Sequence, residues 1–277
     1  TEADITDAMK KQMVSGKKSS YVRVSNDRLN ALIDMVGELV INQSMLKQAI
    51  HDSDESSSNR ERTIGQLETI TTNIKNLVLS MGMVPIAEIF NKLRVVVRNT
   101  AKDLSKAVVV EIKGEETELD RNVMESIYDP LVHIVRNAVD HGLEPSELRD
   151  GAGKDRVGKI LISAEHKGNG IEISVYDDGR GIDTQRVLQK ALKLELVTPE
   201  EAENLSEKEI YNFMFMPGFS TAEKVSEVSG RGVGLDVVKK NIDEIHGRVD
   251  IVSEKGQFTR FIIKLPLTLA IIEGFVT

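Results

Sequence analysis

The sequence contains no cysteine, which excludes a disulfide framework and any thiolate metal site and fits a reducing compartment. It has no basic excess either: the formal charge is −8, with 29% of residues charged. An acidic surface of this kind has nothing to draw nucleic acid or anionic lipid, so neither is expected as a partner. Long apolar runs are missing as well. None approaches the roughly 20 residues that cross a bilayer, and the N-terminal TEADITDAMKKQM lacks the apolar core of a secretory signal. No direct membrane insertion is expected, and a cytoplasmic location is.

What is present is a chain of 277 residues, enough for a substantial core and more than one domain. It begins without Met and ends inside the apolar stretch LTLAIIEGFVT, so it reads as a piece of something longer. Residues 1–20 are polar and aperiodic and read as a flexible tail. From Leu29 the residues Leu32, Val36, Leu39, Leu46 and Ile50 follow a seven-residue repeat, with Gln43 the polar member and Ile33 and Val40 widening the stripe. A second helix, from about Arg60 to Gly82, repeats the pattern with Ile64, Leu67, Ile70, Ile74, Leu77 and Met81. The polar HDSDESSSN between them lets the chain reverse. A hairpin with one seam per helix predicts pairing with a second copy through residues 21–82, as a four-helix bundle. Packing of the hairpin on its own chain's second domain is the competing reading.

The character changes near residue 83. MGMVPIAEIFNKLRVVVRNTAKDL reads as a helical connector with its join at Met83-Val84-Pro85. AVVVEIKG then reads as a strand, KILISAEHKGNGIEISVYDDG as a hairpin turning at Gly168-Asn169-Gly170, and RVDIVSEKGQFTRFIIKLPL as another turning at Lys255-Gly256. Helices interleave with them, at Pro130 to His141 and Gly234 to Ile245. The fold class expected is therefore α+β: a long N-terminal helical hairpin, then an α/β two-layer sandwich over residues 83–268 with helices on one face of a mixed sheet.

Three constellations carry chemistry. In LVHIVRNAVDHGLE, Asp129 reads as an N-cap before Pro130, and His133, Asn137 and His141 recur at intervals of four along one helix edge. Such residues are surface groups on a half-exposed helix or members of a site; a zinc centre lacks a third ligand and the HExxH spacing. In YDDGRGID, a strand ends at Asp177 and runs into Gly179 and Gly181. This is a plain turn, or a floor for a flat heterocycle whose exocyclic amine donates to the carboxylate. In SGRGVGLDVVKKNI, Gly230, Gly232 and Gly234 precede a helix and expose backbone N–H groups to an anion, without the spacing of a dinucleotide fingerprint or a Walker P-loop. Between the last two, Asp183 to Gly230 reads as a lid, with Met214 and Met216 either part of it or plain core.

The order of these motifs, with Phe-Ser-Thr at 219–221 between them, resembles the N, G1, F and G2 boxes of the ATP-binding fold shared by histidine kinases, gyrase-type ATPases and Hsp90 chaperones. The resemblance runs through nearly all of residues 85–268. With DHGLE directly after Asn137, the MVPI connector and the heptad hairpin in front, the chain is similar to the chemotaxis histidine kinases. That resemblance implies ATP and Mg²⁺ as cofactors, with Asn137 the Mg²⁺ ligand and Asp177 the acceptor for the adenine amine. Gly181 would let the base approach, and Thr259 would support it. Gly230, Gly232 and Gly234 would donate to phosphates, and Gly179, Ser220, Thr221 and Leu235 would complete the nucleotide site. His133 stands where the ATPase branches carry a water-activating Glu, which favours transfer to a protein acceptor over hydrolysis. His133 and His141 would contact phosphates or a water on Mg²⁺, with Arg136, Arg186 and Lys190 as anion partners.

No H-E-[LI]-[RK]-[TN]-P phosphoacceptor motif is present, so the substrate histidine is expected on a separate histidine-phosphotransfer domain. Residues 269–277 are expected to open a C-terminal regulatory domain for a coupling protein and chemoreceptors, which would recruit the protein to membrane arrays. The competing class is a nucleotide-gated ATPase clamp, followed by a scaffold with a degenerate site.

Overall fold

The computed structural model describes residues 26–51, 57–168, 170–219 and 234–266. Residues 1–25 and 267–277, where the tail and the start of a regulatory domain are expected, lie outside the described residues. The chain divides into two compact units, with the boundary in the sequence between Gly82 and Met83.

The first unit is a pair of helices, α1 (Asn26–His51) and α2 (Ser57–Met81), packed along each other. Ile70 is buried within the pair, but Leu29, Ile33, Val36, Val40 and Ile64 stay exposed. The heptad of α1 is thus only partly used inside one hairpin, and an apolar stripe remains without cover from its own unit.

The second unit opens with a short strand, β1 (Met83–Pro85), rather than with the helical connector expected there. It pairs antiparallel with β3 (Glu118–Asp120), Val84 opposite Leu119. The expectation missed it because the pairing is non-local and three residues carry no period. Helix α3 (Ala87–Asp103) follows, burying Ile89, Phe90, Leu93, Val97 and Ala101 on one face, and leads into β2 (Val108–Lys113).

Helix α4 spans Arg121–Asn137, so it does not start at Pro130. Its cap is Asp120, whose carboxylate accepts from the N–H groups of Asn122 at 2.8 Å and Val123 at 3.2 Å. Pro130 sits buried inside the helix. It removes one backbone hydrogen bond, a cost offset by the apolar face of Val123, Ile127, Leu131, Ile134 and Val135, which continues through it. The helix then widens into a π-helical turn, Ala138–Gly142, and short α5 (Ser146–Gly151) follows.

Strands β4 (Gly158–Lys167), β5 (Gly170–Asp177), β6 (Arg248–Glu254) and β7 (Phe258–Pro266) complete a mixed sheet of order β2-β4-β5-β7-β6. Only β2 and β4 are parallel. Alternation sets Ile160, Ile162, Ile173, Val175, Phe261 and Ile263 on the face covered by α3 and α4, and these residues form one core with Leu93, Leu131 and Ile134.

Of the stretch expected to be a lid, the part up to residue 219 is described and is largely helical. It holds α6 (Thr184–Lys193), α7 (Pro199–Ala202) and α8 (Glu207–Asn212), then a tight turn at Phe213–Phe215. Reciprocal capping boxes, Thr198 with Glu201 and Ser206 with Glu209, start α7 and α8. These helices have a core of their own, Val187, Ala191, Ile210, Phe213 and Phe219. Met214 packs against both cores, whereas Met216 is exposed. Residues 220–233 lie outside the described residues; helix α9 (Leu235–Glu244) begins directly after Gly234.

Candidate functional site

The site is assembled where the π-helical turn after α4 meets the end of β5. Asp177, the last residue of β5, is 2% exposed and accepts the Gly179 N–H at 3.0 Å. Across the ladder its partner on β7 is Thr259, also buried. Thr259 Oγ1 lies 3.4 Å from Ser253 Oγ, and that hydroxyl accepts the Ile182 N–H at 2.8 Å. Burial, reinforced by the nearby Asp178 and Glu144 and opposed by the Gly179 N–H and Lys154, pushes the Asp177 carboxyl up to about 7.

The glycines are required by close backbone approach. A Cβ on Gly179 would stand 2.1 Å from the Gly142 carbonyl oxygen, and one on Gly142 would stand 2.7 Å from Asp177 Oδ1. Gly181 has a φ of 63°, and a Cβ there would meet the Glu254 carbonyl at 2.1 Å. Its immediate neighbour is thus the turn between β6 and β7, a constraint that no local pattern in the sequence marks. Gly142 also accepts the Arg180 N–H at 2.9 Å, which locks the π-helical turn to the loop after β5.

Three cations hold this junction from outside the predicted set. Lys106 Nζ donates to the carbonyls of Val139, Asp140 and Leu143 at 2.8, 2.6 and 2.8 Å, satisfying groups that a helix C-terminus leaves bare. Burial holds its pKa below the usual lysine value. Arg149, 1% exposed, donates to the Asp178 carboxylate at 2.8 Å, to the Asp178 carbonyl at 3.1 Å, to the Asp155 carbonyl at 2.6 Å and to Glu144 at 3.3 Å. Lys154 adds bonds to Glu144 and to the Asp178 and Gly179 carbonyls. The loop bearing Asp177 to Gly179 is therefore clamped from below by a charged network that only the fold brings together.

Of the residues expected at the site, Asn137 ends α4 half-buried, and its carboxamide has no partner among the described residues. His133 lies one turn earlier, half-buried; desolvation, with Arg136 and His141 nearby, holds its imidazole below the ordinary value, against an opposing pull from Asp236 of α9. His141 does not continue the α-helical stripe. The turn has widened to an i→i+5 bond from Leu143 N–H to the Ala138 carbonyl at 2.8 Å, and His141 is exposed beside Asp140. Gly234 caps α9, and Leu235 packs against the main core. Arg186 and Lys190 ride on α6, the former exposed with its N–H bonded to Asp183, the latter 5.4 Å from the Phe219 ring. Ser220, Thr221, Gly230 and Gly232 lie outside the described residues.

A family profile described as "Histidine kinase-, DNA gyrase B-, and HSP90-like ATPase" matches residues 126–269, the span holding every site residue described above except Lys106. The chain belongs to that ATPase family. A second profile, "Signal transducing histidine kinase, homodimeric domain", matches residues 19–81. Curated relatives of this family member include "Chemotaxis protein CheA" of Bacillus subtilis, 41% identical over 96% of this chain and 39% of its own. The protein of that name from Salmonella typhimurium is 44% identical, over 93% and 38% of the two chains. That from Treponema pallidum is 47% identical, over 83% and 27%. The chain thus spans about two fifths of the length of the first two relatives. Among solved structures, the catalytic domain of histidine kinase ThkA aligns at 20% identity with a TM-score of 0.44, covering 68% of this chain and 95% of that one.

Proposed function

We propose that this chain is the dimerisation and ATP-binding core of a chemotaxis-type protein-histidine kinase. In this reading residues 21–82 pair with a second copy, residues 83–268 bind ATP, and a histidine on a separate phosphotransfer domain receives the γ-phosphoryl. Residues 1–20 are a tail, and 269–277 open a regulatory domain that meets a coupling protein and chemoreceptors. The observation that carries it is the buried Asp177 beside Thr259, under the turn that follows Asn137, whose carboxamide has no partner among the described residues.

The donor set fits the nucleotide and its metal. A buried carboxylate bonded to a single N–H among the described residues is a suitable acceptor for an adenine amine, and Thr259 stands next to it for a second bond. The Asn137 carboxamide is a hard oxygen of the kind that supplements phosphates around Mg²⁺. Bound Mg²⁺ supplies charge neutralisation on the phosphates. This chain's own part is positioning: Asp177 fixes the base, backbone N–H groups at Gly230, Gly232 and Gly234 hold phosphate, and His133 and His141 flank Asn137. An acceptor histidine is a nucleophile when neutral and needs little base assistance.

The test is a mixing experiment with Mg²⁺ and γ-labelled ATP, with and without a separately produced histidine-phosphotransfer domain. Label on the added domain that disappears with Asn137→Ala is the expected result. Asn137-dependent phosphate release without transfer would replace the kinase reading with an ATPase clamp.

A further inference from the structure

Strand β2 is an edge of the sheet and pairs only with β4 among the described residues. The Ala107 carbonyl accepts the Gly158 N–H of the β4 strand, and backbone groups of alternate residues point to the same side of a strand. Val108, Val110 and Ile112 therefore direct their N–H and C=O groups away from the sheet, forming a template for one more strand.

Beside this edge lies a groove of about 410 Å³ between α3 and β2. Its lining includes Arg94, Arg98, Lys102 and Lys106 and no carboxylate, in a chain with 44 acidic and 36 basic residues. Lys106 is spent on the π-helical turn, but Arg98 and Lys102 are exposed and form no ion pair among the described residues. Arg94, half-buried, has one side-chain hydrogen bond among the described residues, to Asn91 at 3.5 Å. Their spacing matches a strand. Steps of four along a helix advance about 6 Å, and alternate residues of a strand advance about 6.7 Å. Because α3 runs into β2 through residues 104–107 alone and packs against it, helix and edge lie side by side.

We propose that this groove docks an extended acidic segment of a partner protein, added to β2 as a strand with a carboxylate at every second residue facing Arg94, Arg98 and Lys102. Main-chain bonds to Val108, Val110 and Ile112 hold the segment, and the cations select its alternating charge. The assignment does not depend on the nucleotide reading.

The probe is a fluorescent peptide of four Glu-Thr repeats, compared with a peptide of equal composition in which all Glu precede all Thr. The expected result is salt-sensitive binding of the alternating peptide to the full chain, weakened on the order of tenfold by Arg98→Glu with Lys102→Glu. Amide hydrogen exchange at Val110 and Ile112 should slow when the peptide is bound, and thermal melts of the double variant should match those of the unaltered chain. Equal affinity for the blocked peptide, or binding without protection of those amides, would overturn the proposal. Absence of binding would also overturn it, leaving the cations as guards of an open edge.

Discussion

Replacing Asp177 by Asn should stabilise the nucleotide-free protein at alkaline pH while abolishing adenine recognition. The carboxyl is pushed from 3.8 to about 7 in the folded chain, mainly by burial. A carboxyl with a raised folded-state pKa holds its proton more tightly in the native protein than in the unfolded one. Its contribution to stability is therefore full below about pH 4, declines between about pH 4 and 7, and stays lost above that. At about 1.4 kcal/mol per pH unit, the interval from 3.8 to about 7 corresponds to roughly 4 kcal/mol. Asn keeps an oxygen to accept the Gly179 N–H and carries no charge. The variant should match the unaltered chain near pH 4 and exceed it by up to about 4 kcal/mol at pH 8, or on the order of 10 °C in the melting of the 83–266 unit. Asp178, Glu144 and Lys154 also shape the environment of Asp177, so the difference between the two proteins, followed across pH by calorimetry, isolates this group. Adding ATP at pH 8 should raise the transition of the unaltered chain and leave that of the variant in place. A variant that is less stable at pH 8, or a difference that does not grow between pH 4 and 8, would refute the reasoning.

Arg149→Met should cost about 3–5 kcal/mol in urea unfolding, because it leaves the Asp178 carboxylate and carbonyl without their buried partner. Gly179→Ala forces the Gly142 carbonyl to move from a 2.1 Å contact; titration calorimetry should show nucleotide affinity reduced on the order of tenfold or more with the far-ultraviolet spectrum unchanged. Lys106→Met strips the ammonium from three carbonyls, at about 1–3 kcal/mol for each group left bare; faster amide exchange over residues 138–143 is the readout. Ile33→Glu with Val40→Glu charges two exposed apolar positions of α1, and sedimentation should report a monomer; an unchanged dimer would place the interface elsewhere.

The scaffold of the candidate site could be read from the chain because its parts are local. Asp177 ends a strand whose alternation is plain, Gly179 and Gly181 follow at once, and Asn137 stands on an amphipathic helix whose buried face is regular. Heptads foretold both helices of the hairpin. Other local signals were present and outweighed. Asp120, followed by Val123, Met124 and Ile127, is an N-cap before an apolar stripe, yet Pro130 drew the helix start nine residues too late. T-P-E-E and S-E-K-E are capping boxes inside a stretch read as lid.

The sequence by itself determined the periodic elements, the box order and the family, since each depends on residues a few positions apart. Only the tertiary structure decided that β1 pairs with β3, that Lys106 reaches the turn after Asn137, and that Arg149 anchors the loop beneath Asp177. Those contacts join residues about 30 positions apart, and their strength comes from burial. A carboxylate in the sequence has one ordinary pKa, whereas Asp177 acquires its own only when the sheet, the π-helical turn and the charged network close around it.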